Sequence, residues 1–435
     1  SFQVSLLSAI MDLLLYNIGE LATLSHGDVS KPLSGTKMSE RDNLLLEPGH
    51  SILISEGNII KISPEQELLE EFAPDMEDNK SAHIELIDVN GKAVIPGLVD
   101  CHTHLIWSGD RSNEIRLRQN GLSYQDISKQ GGGINRTVEA TRKASLKELK
   151  LIGSSNLSQS SNYGTTTIEA KSGYGLSVES ELKILQATNS LGGINQNILP
   201  TWLGAHDFPK DKKVSEYMDE LIHEQLPLVA EKGLAKWIDV FCEPGWFDLE
   251  QTEILVKSAN NFGLKSRLHV DEFVDSGGLS LAAELKSSSA DHVGFSNHDS
   301  RDKANKSGTM QVFLPGTPYV LGKDLGNGII DCIENNWNFS LATDFNPNCQ
   351  SLSLPFVSSL ATHRIGIDPL TALVACTRNP ASTLNSEIKH CVGSLYEGGP
   401  ADFNILNSRY VDYWCQTPGV SPISKTYFSG SIVKS

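Results

Sequence analysis

Cysteine is scarce in this chain, seven residues in 435. They stand at positions 101, 242, 332, 349, 376, 391 and 415, with no Cys-x-x-Cys pair among them. That spacing excludes a zinc ribbon and offers no disulfide framework. Thiols used this way suit a reducing compartment, and the expected location is the cytoplasm. Positive charge is in deficit too: 36 Lys and Arg against 53 Asp and Glu give a formal net charge of −17. Nucleic acid and anionic membranes are therefore excluded as main partners. No apolar run reaches the ~18 residues a membrane span needs. The longest candidate, Val4 to Ile18, is broken by Ser5, Ser8, Asp12 and Asn17, and no basic stretch precedes it as in a signal peptide. No internal repeat is present, and no glycine fingerprint opens a doubly wound sheet.

What is present falls into two patterns. Residues 12–63 and 84–95 read as short strands and turns, with "EGN" and "VNGK" as hairpin turns because Gly and Asn accept positive φ. Pro64 to Ser81 is acidic and reads as surface helix or loop. From Val94 the pattern changes to apolar runs alternating with helical segments. Eight strands are expected at 94–104, 164–171, 197–206, 237–243, 265–272, 289–294, 309–315 and 338–346. Helices follow at 178–192, 214–232, 248–262 and 277–287. Eight such units predict an α/β fold, a TIM (β/α)8 barrel. Short strands return at 401–407 and 425–434, and neither chain end makes an independent core. The expected organisation is residues 1–93 and 386–435 forming one small β-sandwich domain, with the barrel over 94–385.

The chemistry concentrates at strand ends. His102 and His104 are two residues apart, so on a strand both imidazoles face the same side. They close the first barrel strand, at the end where such barrels carry their active sites. A bare His-x-His also suits two hydrogen-bonded core histidines. His269, His292 and Asp344 end the fifth, sixth and eighth strands, and buried polar groups gathered at one rim need partners. Three histidines and a carboxylate with room for water describe a catalytic metal site rather than a closed structural one.

The strings "PGLVDCHTHLIWSGDRSNE", "GTTTIEAKSGYGL", "LGAHDFP", "HVDE", "SADHVG", "LPGTPYVLG" and "LATDFNPN" resemble the amidohydrolase superfamily, and within it the imidazolonepropionase family of histidine degradation. The likeness spans roughly residues 85–435. It implies one Zn or Fe ion on His102, His104, His269 and Asp344, the set the strand ends also suggest. It implies substrate contacts from Arg111, Tyr124, Tyr174, His206, Glu272, His292 and Asn346. Arg111 is a fork-shaped donor suited to a carboxylate tail, and His206 is placed to donate to a carbonyl. The implied reaction is hydrolysis of the cyclic amide of 4-imidazolone-5-propionate to N-formimino-L-glutamate. Glu272 or Asp344 would be the base and His292 the oxyanion partner. Glu272 lies three residues beyond His269, so strict alternation would turn it away from the site.

Some positions depart from the family pattern. The fourth strand ends "DVFCE" with no lysine to bridge two metals, so a single ion is expected. Lys171 reads as an ion pair or a solvated group. At Asn348 a backbone contact is expected through a positive φ, and at Cys349 a hydroxyl is missing. The glycines at 131–133 lack the Lys-Ser/Thr of a phosphate loop and read as an active-site loop. Two other readings compete: a mononuclear deaminase of nucleobases, and a non-catalytic barrel used in assembly. A homodimer is the expected assembly.

Overall fold

The computed structural model describes residues 12–73, 84–122, 126–127, 131–193 and 195–434. Its centre is a parallel barrel of eight strands. They are β1 (Leu98–Asp100), β2 (Thr165–Lys171), β3 (Asn197–Ala205), β4 (Trp237–Cys242), β5 (Lys265–Val270), β6 (Ser289–His292), β7 (Met310–Phe313) and β8 (Phe339–Leu341). Each pairs with the next in sequence order. The seam between β8 and β1 closes just beyond the strand ends, where Thr103 bridges Phe345 in parallel register. There Asp344 N–H donates to His102 O at 3.1 Å, and His104 N–H donates to Phe345 O at 2.8 Å.

Helices cover the barrel from outside, among them Val178–Asn189 and Leu249–Asn261. Their starts are written in the sequence. Ser177 caps the first, and Asp248 with Gln251 forms a capping box on the second. The expected helix at 214–232 is interrupted by a π turn over Leu221–Gln225. Among the described residues no helix is long and apolar enough to cross a membrane.

Two further sheets lie beside the barrel. One orders Asn58–Pro64, His50–Ser55, Asp12–Tyr16 and Ile84–Asp88. The other orders Ser431–Lys434, Ile423–Phe428, Phe403–Leu406, Val94–Pro96, Leu21–Ala22 and Leu45–Leu46. Leu13, Leu15, Ile52 and Ile54 of the first pack on Val94, Phe403, Ile405 and Tyr427 of the second, so both chain ends share one small core.

Two expectations change here. The run 94–104 is not one strand. Val94–Pro96 pairs with Phe403–Ile405 in the outer sheet, and the barrel strand starts at Leu98. Gly97 divides them, and any Cβ there would meet Thr166 Oγ1 at 2.1 Å. The Asn90-Gly91 turn has positive φ at both residues, but it carries the chain from one sheet to the other rather than closing a hairpin. Glu56-Gly57 does close one, joining His50–Ser55 to Asn58–Pro64.

Candidate active site

Three imidazole Nε2 atoms and one carboxylate oxygen converge at the C-terminal end of the barrel. His102 Nε2 and His104 Nε2 lie 3.5 and 3.6 Å from Asp344 Oδ1, and His269 Nε2 lies 3.4 Å from His104 Nε2. Asp344 sits at φ +50°, a left-handed turn that swings its carboxyl inward. Its other oxygen, Oδ2, accepts a hydrogen bond from Thr317 Oγ1, which leaves Oδ1 facing the histidines.

The outer nitrogens say which inner ones are free to bind. His102 Nδ1 donates to Asp291 Oδ2 at 2.6 Å, so the proton belongs on Nδ1. His102 Nε2 is buried and has no hydrogen-bond partner, and it points at the other ligands. His269 Nδ1 approaches Asp239 Oδ2 at 2.9 Å. The carboxylate hydrogen-bonded behind His102 is of the kind that holds a metal ligand in one tautomer and orientation. Electrostatics agree. Burial and Lys171 push the His102 imidazole down, yet Asp291 and Asp344 outweigh them and hold it up at about 9. Burial pushes Asp344 up, but His102 and His292 draw it well below the usual carboxylate range. The point where these groups meet favours positive charge, which a proton on His102 supplies and which a metal ion, on displacing that proton, would supply instead.

Glu272 reaches the same cavity because the chain turns at Asp271, whose φ is +51°. The Asp271 carboxylate secures the turn by accepting from Ser276, Gly278 and Leu279 N–H and from Ser296 Oγ. Glu243, at the end of β4, accepts the Glu272 N–H. Strict alternation therefore ends one residue before Glu272. Burial first, then Asp344 and Glu243, raise the Glu272 carboxyl well above its ordinary value. His292 Nε2 lies 3.6 Å from Glu272 Oε2, and burial lowers its imidazole to about 4.

A cavity of about 390 Å³ opens above these groups, lined also by Arg111, Tyr174, His206, Asn346 and Asn348. His206 stacks on His104 at 4.9 Å. Its Nδ1 lies 3.0 Å from Gly173 O, which can only accept. With Nδ1 donating there, His206 Nε2 presents a lone pair to the cavity. Arg111 is buried and doubly bonded to Glu114, Nε to Oε1 at 3.0 Å and Nη2 to Oε2 at 2.8 Å. Gly133 N–H also donates to Glu114 Oε1, at 2.8 Å, so the glycine run serves this pair and not a phosphate.

Tyr124 lies outside the described residues. Asn346 spends its side chain locally, Oδ1 accepting from Asn348 and Cys349 N–H and Nδ2 donating to Asp344 O. Asn348 lines the cavity but does not take the positive φ expected of it; its side chain instead accepts from Arg118 Nη1 at 3.4 Å. Cys349 is buried behind the cavity, its Sγ 3.9 Å from Thr343 O. It is not among the residues that line the cavity.

No family model matches the chain. Curated relatives do. It is 39% identical to the imidazolonepropionase of Symbiobacterium thermophilum, over 92% of this chain and 91% of that one. It is 36% identical to the imidazolonepropionase of Alkaliphilus metalliredigens, over 98% of each.

The chain belongs to the imidazolonepropionase family.

Solved structures share this chain's fold. The 5-methylcytosine deaminase of Klebsiella pneumoniae superposes with a TM-score of 0.68 over 97% of each chain, at 15% identity. A. niger ochratoxinase superposes with a TM-score of 0.67 over 98% of this chain and 96% of that one, at 16% identity. Reading the imidazolonepropionase pattern from sequence passes over several residues that line the cavity: Arg118, Trp246, Phe273, Thr317 and Lys323. Thr317 lies within the quoted "LPGTPYVLG" string, so a signal for it was present. Arg118 and Lys323 carry none, because nothing in their local pattern separates them from surface cations.

Proposed function

We propose that this chain hydrolyses the ring amide of 4-imidazolone-5-propionate to N-formimino-L-glutamate, with one metal ion, Zn or Fe, on His102, His104, His269 and Asp344. The observation that supports it most is the likeness to imidazolonepropionases over more than nine-tenths of both chains. When bound, such an ion supplies Lewis acidity, lowering the pKa of water and polarising a carbonyl.

The protein's own groups carry the remaining work. Glu272 is the base. Both Asp344 oxygens are committed, one to Thr317 and one toward the histidines, whereas Glu272 has an elevated proton affinity. Glu272 takes a proton from the attacking water and returns it to the ring nitrogen as the carbon–nitrogen bond breaks. His292 stays neutral near neutral pH, so it stabilises the developing oxyanion as a hydrogen-bond donor rather than as a cation. His206 accepts from a ring N–H through Nε2. Arg111, held in plane by Glu114, orients the propionate with Arg118 and Lys323 at the cavity wall. Those cations favour a substrate with a carboxylate tail over the planar bases of a deaminase.

The test is ultraviolet loss of imidazolone propionate with metal-loaded protein, alongside metal counting. Stoichiometric metal with no loss of this substrate, but deamination of a base, would replace the reading with the deaminase one. Two ions per chain would end the mononuclear assignment.

A further inference from the structure

Beneath the converging imidazoles lies a layer that solvent does not reach. Lys171, from β2, ends there with its ammonium among three carboxylates. Its Nζ is 3.0 Å from Glu169 Oε1, 2.8 Å from Asp239 Oδ2 and 3.6 Å from Asp291 Oδ2, and all four side chains are 0% exposed.

Each carboxylate continues upward to a different part of the site. Asp291 Oδ2 accepts from His102 Nδ1 at 2.6 Å. Asp239 Oδ2 faces His269 Nδ1 at 2.9 Å, while its Oδ1 accepts the His269 N–H at 3.2 Å. Glu169 Oε2 accepts the N–H of Thr103, the residue between His102 and His104, at 3.4 Å. The Lys171 backbone completes this last arm by donating to Thr103 O at 2.9 Å.

We infer that Lys171 is a positioning residue for the metal centre, the one ammonium that holds in place the carboxylate arms behind His102, His104 and His269. The inference rests on reading those histidines, with Asp344, as metal ligands. Three carboxylates this close in a dry layer repel one another unless a cation sits between them. Without it, each must rotate away or bind a proton. Either change removes the acceptor that keeps a proton on the outer nitrogen of His102 or steadies His269, and the imidazole is then free to turn its Nε2 off the common point. Lysine suits the position better than arginine. It is a compact charge that donates to Glu169 Oε1 and stands within ion-pair distance of Asp239 and Asp291 at once, whereas a guanidinium is a flat fork made for bidentate pairing.

The experiment compares wild type and Lys171→Met, each loaded with Co²⁺ after chelation. Three quantities are read: the visible cobalt spectrum, the metal dissociation constant by competition with a chelator, and the melting temperature of metal-free protein. Loss of a group behind metal ligands weakens binding by about 10–100-fold, and a shift of that size with altered cobalt bands is expected for Lys171→Met. A variant that melts lower when metal-free but keeps wild-type cobalt affinity and spectrum would overturn the inference, since Lys171 would then serve only the fold. If Lys171→Met does not fold, Glu169→Gln, equal in size and lacking one arm's charge, takes its place. A several-fold weaker affinity is expected there, and an unchanged one overturns the inference equally. Wild-type protein that binds no cobalt would remove the ligand reading itself, and the inference with it.

Discussion

Asp291 and Asp402 are both buried carboxyls, one in the barrel interior and one in the small β region, and they titrate in opposite directions. Asp291 meets His102 Nδ1 at 2.6 Å and Lys171 Nζ at 3.6 Å. Burial pushes it up, but those two groups win and hold it far below the usual range. The Asp402 carboxyl accepts from Ser429 N–H at 2.8 Å. Burial there is opposed by no cation, and the carboxyl rises to about 7. The contrast shows that depth alone does not decide whether a carboxyl stays ionised; a matched cation does. Glu272 stands between the two cases. It sits at the chemistry like Asp291, yet burial raises it as it raises Asp402, with Asp344 and Glu243 adding to the effect.

Substitutions can break or sharpen this contrast, and the largest effect belongs at the converging ligands. On the proposed ligand set, Asp344→Asn removes the charge of its one carboxylate. Turnover should fall by about a thousandfold or more, because the metal supplies several kcal/mol of stabilisation; metal analysis and kcat report it together. Next comes Glu272→Gln, for which kcat should fall by roughly 10²–10⁴-fold with metal content unchanged. Full turnover in that variant would make Glu272 a mere buried acid like Asp402. Arg111→Ala tests the paired charge at the mouth. It should raise KM for the substrate by about 10–100-fold, the cost of losing a charge-assisted hydrogen bond of roughly 1.5–3 kcal/mol, while metal content holds. An unchanged KM would take the tail from Arg111 and leave it to Arg118 and Lys323.

The smallest effect is on stability. The native Asp402 carboxyl keeps its proton to about pH 7, but the unfolded one loses it near its ordinary value of 3.8. Between those limits the native state binds more protons, so this group's contribution is full at low pH and is lost as pH rises through 7. Asp402→Asn should therefore melt a few degrees above wild type at about pH 8 and near wild type at about pH 4. A constant difference across that range would mean that Asp402 is ionised in the native state.

Much of the barrel was legible because its strands are short apolar runs with polar residues at their ends, where the chemistry lies. The eight strands fall within the expected stretches, and His102, His104, His269 and Asp344 were visible for that reason. The division at Gly97 was not, since Val94–Pro96 and Leu98–Asp100 are equally apolar and only their partners differ. Nor was the turn that brings Glu272 inward, because an aspartate at positive φ leaves no glycine as a sign. The charged layer under the ligands was half visible. Asp239 interrupts "WIDVFC" and Lys171 ends "TTTIEAK", but their meeting depends on strands that are distant in sequence.

The barrel's seam gives the ligand set a further consequence. His102 and His104 follow the first strand and Asp344 follows the last, and the chain crosses between them through the Thr103–Phe345 bridge and the short hydrogen bonds on either side of it. These are the contacts of longest loop closure in the barrel, and so the ones with the greatest entropy to overcome during folding. An ion held by both sides of that seam acts as a clasp. On the proposed ligand set, loading the ion would tighten this join, and the metal-free protein should exchange its amide hydrogens fastest along it.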